Sequence, residues 1–129
     1  MIKKLPLLLI LLSTCMAAHA SNVTVLKKSL KNWAPISISD KQGVIEIVMN
    51  EDRVTPKIYD AVISMGVCTP LWFEAKGSSY LKNIKELRVL NRHSYSGYVL
   101  ESPKSTCDEA GKAASGGTAI VINANTHGF

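Results

Sequence analysis

The sequence predicts an α+β fold: a small single domain in which a largely antiparallel sheet carries helices on one face, locked by one disulfide. Three observations carry this expectation. Val44–Met49 reads as a strand with one wholly apolar face and only Glu46 polar on the other. A helix start follows closely, with Thr55 placed as N-cap and Pro56 at the first helical position. Two cysteines, Cys68 and Cys107, remain once the N-terminal segment is set aside.

In chain order, that segment comes first. Lys3 and Lys4 precede an apolar run from Leu5 to Leu12, and Ala18-His19-Ala20 offers a small-x-small cleavage site. This is the pattern of a secretory signal peptide over residues 1–20, with an apolar run too short to span a bilayer. The exported domain then covers residues 21–129. Leu12-Ser13-Thr14-Cys15 also resembles a bacterial lipobox, although Thr14 stands where Gly, Ala or Ser is usual. Lipidation of Cys15 would anchor the protein to a membrane; a cut after Ala20 leaves it periplasmic or secreted. In an oxidising compartment Cys68 and Cys107 pair most simply with each other, and closing that loop contributes about 4 kcal/mol by the chain-entropy model. The chain carries a net +5, of which Lys3 and Lys4 supply two. So mild an excess fits a solvated surface, and nucleic acid is not an expected partner.

Val23, Leu26, Leu30 and Trp33 share one face of an N-terminal helix, with Lys27, Lys28 and Lys31 opposite and Ser21 or Asn22 as its cap. We read it as packed on the sheet with its lysines in water, rather than as an arm lying on an anionic membrane. Ala34, Ile36 and Ile38 alternate with Pro35, Ser37 and Ser39, a half-exposed strand. The turn Asp40-Lys41-Gln42-Gly43 joins it to Val44–Met49 as a hairpin. In the next helix Ile58, Val62 and Met65 form the inward stripe with Ala61 beside them. Gly66 is expected to cap that helix and Pro70 to stop it resuming, leaving Cys68 just past its end. Leu87–Arg92 and Tyr98–Glu101 pair through the loop His93–Gly97. Ser105…Asp108 and Thr106…Glu109 both fit a capping box, Ser115-Gly116-Gly117 ends that helix, and Thr118–Ile122 is expected as the last strand before a polar tail. The last six elements run βαββαβ, the ferredoxin-like order.

Chemistry has few places to sit. Cys107 falls in the first turn of a helix, where amides and dipole activate a thiol; an enzyme centred on it would need His93 or His127 as base. No CxxC, HxxxH, GxSxG or phosphate-loop spacing occurs, so neither metal nor cofactor is expected. Trp72 and Phe73 could line a cleft for a small ligand or lipid, although closing the core is the simpler role. The best binding candidate is the second hairpin, where Arg88, Arg92 and His93 combine positive charge with Tyr95 and Tyr98. The expectation is a small exported, non-enzymatic binding or accessory protein working through contacts with another envelope protein: a component of an envelope-spanning assembly, or an inhibitor of a periplasmic enzyme.

Overall fold

In the computed structural model, which describes residues 20–129, Ile45, Ile47, Leu87 and Val89 are fully buried and sit side by side on two neighbouring strands. The expected export signal, up to His19, and the lipobox-like stretch at Cys15 lie outside the described residues. The strands are β1 (Ser37–Lys41), β2 (Val44–Val48), β3 (Glu86–Leu90), β4 (Gly97–Glu101) and β5 (Thr126–Gly128). They lie in sequence order across one open sheet. β1/β2, β3/β4 and β4/β5 are antiparallel, while β2/β3 is parallel. Parallel neighbours need a crossover, and the helical stretch between β2 and β3 supplies it. The architecture is therefore α+β with a mixed, largely antiparallel sheet. The chain order does suggest a ferredoxin-like arrangement, but the two parallel strands are direct neighbours and no strand splits them.

The β1–β2 hairpin forms as expected, shifted by a few residues. Its loop is the two-residue turn Gln42-Gly43, both residues with positive φ, the mirror-image turn whose twist matches paired strands. α1 (Asn22–Ser29) is capped by Ser21, whose Oγ accepts from Thr24 N–H. Leu26 and Leu30 are buried, and Lys27, Lys28 and Lys31 are exposed.

The central helix departs from expectation. α2 (Pro56–Ala61), capped by Thr55, does not end at Gly66. It widens into a π-helical run (Val62–Cys68) and continues as α3 (Thr69–Trp72). Tyr59, Ile63, Val67 and Leu71 are buried at a spacing of four, the phase that a wider turn keeps inward, and Met65 is thereby turned outward. Pro70 is tolerated because hydroxyls take up carbonyls that the helix leaves free. Ser29 Oγ donates to the Gly66 C=O at 2.7 Å, Thr69 Oγ1 to Ser64 C=O at 2.9 Å, and Tyr80 Oη to Val67 C=O at 2.7 Å. Gly66 is a contact point rather than a cap: a Cβ there would lie 2.2 Å from Leu30 Cδ2.

The C-terminal region is corrected more deeply. α4 (Pro103–Lys112) starts earlier than the capping boxes imply, and no side chain caps it. Ser105 and Thr106 instead donate to the Ser102 and Glu101 carbonyls. Residues 118–122 are helical, within α5 (Gly117–Ala124), and the sheet is completed by β5 in what reads as a polar tail. Tyr59 fastens that strand: its hydroxyl meets Thr126 Oγ1 at 2.6 Å, and Thr126 in turn donates to Ile122 C=O. Burial pushes the Tyr59 phenol up to about 12.

Cys68 and Cys107 form the disulfide, with both residues fully buried. It joins the π-helical run to α4, so Cys68 lies within the helical stretch and not past its end.

Candidate functional site

Two parallel strands end on the same side of a sheet, so the loops leaving them cluster, and such clusters are where open sheets containing parallel strands place their sites. Here those loops are residues 49–54, after β2, and residues 91–96, after β3. They are joined by backbone bonds from Met49 N–H to Leu90 C=O (2.8 Å) and from Arg92 N–H to Glu51 C=O (2.9 Å).

Asn91 holds the cluster together. It is polar, yet completely buried. Its Oδ1 accepts from the N–H groups of Tyr95 (3.1 Å) and Ser96 (3.3 Å), and its Nδ2 donates to Asp52 C=O (3.0 Å). Its backbone bonds Ser96 C=O and Ser94 N–H, each at 2.9 Å. One side chain thus orders both loops, including Ser94 in a left-handed conformation. Arg92 adds an ion pair with Asp52 (3.2 Å) and a long bond to Asn50 C=O. On this frame the His93 and Tyr95 rings stack with nearly parallel planes, within 8°, and centroids 5.7 Å apart. Tyr95 remains 68% exposed. A flat aromatic pair held outward by a buried amide is already ordered for contact, so little conformational entropy is lost on binding.

The five hairpin residues do not form one patch. Arg92, His93 and Tyr95 share the loop end. Arg88 lies on the sheet face away from the helices, bonded to Glu86 through Nε (3.0 Å), 3.6 Å from Glu46, and over the Phe129 ring at 5.4 Å. Tyr98 is on the opposite, helix-covered face, its ring 4.9 Å from that of Tyr59. Alternation along strands decides this: Arg88 and Tyr98 occupy rows of opposite orientation. The residues that reasoning from sequence missed are Asn91 and Asp52. The one available signal was an asparagine ending an apolar strand directly before an Arg-His-Ser-Tyr-Ser-Gly loop.

Cys107 has its sulfur bonded to Cys68 and out of solvent, so it carries no free thiol. His127 sits on β5, its Nδ1 3.4 Å from Glu101 Oε1. Among the described residues no group of three or more His, Cys, Asp or Glu side chains is arranged to hold a metal ion, and no helix is long and apolar enough to cross a membrane. Trp72 and Phe73 part company. Phe73 is 70% exposed, whereas Trp72 is half-buried, donates its indole N–H to Cys107 C=O at 2.8 Å, and lines a recess of about 390 Å³. A larger groove of about 500 Å³ runs beside α1, over Val25, Met65, Pro70 and Ala75, with Lys28 and Glu74 among its lining residues.

Compared with known families, curated proteins and solved structures, the chain matches none of them.

Proposed function

We propose that this is an exported binding or accessory protein that engages another envelope protein through the loop end built on Asn91. The single observation that carries the reading is the exposed His93–Tyr95 stack on a frame fixed by a fully buried amide. Protein interfaces concentrate their binding energy in such rigid aromatic anchors with arginine beside them. The disulfide and the signal pattern of residues 1–20 support an oxidising, extracytoplasmic setting. Arg88 and Tyr98 are set apart from this contact by their positions in the sheet.

The test is crosslinking in the native envelope followed by partner identification, with the wild type and with Arg92→Ala, His93→Ala and Tyr95→Ala combined. Loss of the crosslinked species with an unchanged melting temperature is the expected result. Capture that persists at wild-type level in the triple variant sinks the proposal.

A further inference from the structure

A second feature, which shares no residue with that loop end, is the recess lined by Trp72. Besides Leu71 and Trp72 it is lined by Lys76, Gly77, Ser78, Lys104, Asp108, Gly111 and Lys112. Three lysines, all of them exposed, therefore border one concavity. Lys104 is tied to Asp108 at 3.2 Å, the only carboxylate in the lining. Lys76 and Lys112 make no ion pair among the described residues. The recess thus holds two more positive charges than negative ones, which is the charge that a phosphomonoester, about −1.5 to −2 at neutral pH, would balance.

The lysine stems are exposed, whereas the Trp72 wall is held in place. The indole N–H is committed to Cys107 C=O, on the helix that the disulfide anchors. The ring also fits against Gly111 so closely that a Cβ there would sit 2.5 Å from Nε1. Trp72 is therefore held in place, and its indole borders the recess together with the three lysines. Flat apolar surface beside concentrated charge suits a small ring compound bearing an anionic group, whose C–H face packs on the indole.

We propose that this recess is a binding site for a phosphorylated sugar, with the sugar ring against Trp72 and the phosphate among Lys76, Lys104 and Lys112. The site is independent of the loop end and does not rest on the protein-contact reading.

The experiment is a titration of the oxidised protein followed through the indole N–H resonances of Trp72 and Trp33, the two assigned by Trp33→Phe. The probes are glucose 6-phosphate, glucose and inorganic phosphate. Glucose 6-phosphate is expected to shift the Trp72 resonance saturably, with a Kd of about 1 mM or below, and to leave Trp33 in place. Lys76→Glu with Lys112→Glu is expected to weaken binding about tenfold or more, while Lys27→Glu with Lys31→Glu, the same charge change on and just past α1, leaves it intact. No saturable shift overturns the proposal. So does equal weakening by the two charge-reversed pairs, which would mean only diffuse attraction. A response to inorganic phosphate as strong as that to glucose 6-phosphate overturns the role of the indole wall.

Discussion

Asn91 shows how one residue can set the geometry of a functional end. A buried amide without partners costs about 1–3 kcal/mol, so a fully buried asparagine persists where its donors and acceptors are met. Here three of its side-chain bonds go to backbone groups of two different loops. Asn91→Ala would leave the Tyr95 and Ser96 N–H groups and the Asp52 C=O without that partner. We expect it to lower stability by about 1–3 kcal/mol and to loosen the His93–Tyr95 stack. Urea denaturation reads the first effect. Faster amide exchange confined to residues 91–96 and 50–54 reads the second; unchanged exchange there would show that the strands alone order the loops.

At the scale of elements, the sequence was most legible where side-chain pattern and backbone state agree. The β2 strand, the Thr55-Pro56 helix start and a hairpin turn within Asp40–Gly43 all read from residue chemistry, although Asp40 and Lys41 prove to belong to the strand and the turn itself is Gln42-Gly43. Misreadings arose where a local signal was overruled by packing. Gly66 and Pro70 look like a helix stop, yet the hydroxyls of Ser29, Thr69 and Tyr80 relieve the carbonyls of that stretch and the helix runs through. Residues 118–122 are rich in β-branched side chains, but Thr118, Val121, Ile122 and Asn125 recur at helical spacing, and that face turns inward. β5 carried no signal because a three-residue edge strand with polar, exposed side chains has no alternation to show. Within β4 the decisive residue is Gly97, at φ +151°, where a Cβ would stand 2.0 Å from the Val89 carbonyl oxygen. Gly97→Ala is expected to cost about 3 kcal/mol or more. Gly128→Ala on the adjoining strand, where nothing lies within 4 Å, should stay within about 0.5 kcal/mol. Urea midpoints of the two variants make the comparison, and equal midpoints would contradict the close packing at Gly97.

For the molecule as a whole, the candidate site was half-legible: the sequence showed that the second hairpin carries arginine and aromatic groups, and the three-dimensional arrangement separated them. Only pairing register decides which side of a sheet a residue faces, and register is not local. The cysteines are the opposite case, since compartment and count alone pointed to their pairing. The bond between them spans 39 residues that include β3 and β4, and it fastens α4 to the central helical run. Replacing both cysteines by alanine should therefore destabilise the domain by about 4 kcal/mol on chain entropy alone, a large part of the 5–15 kcal/mol typical of small proteins. Because both residues are fully buried, a reductant reaches the sulfurs only when the surrounding helices open. In the native protein, alkylation of Cys68 and Cys107 should therefore be slow, and should speed up as urea approaches the unfolding midpoint. Rapid alkylation of both residues in mild reductant without urea would mean that the helical layer opens locally around the bond. The wall of the Trp72 recess, which hangs from Cys107 C=O, would then move with it.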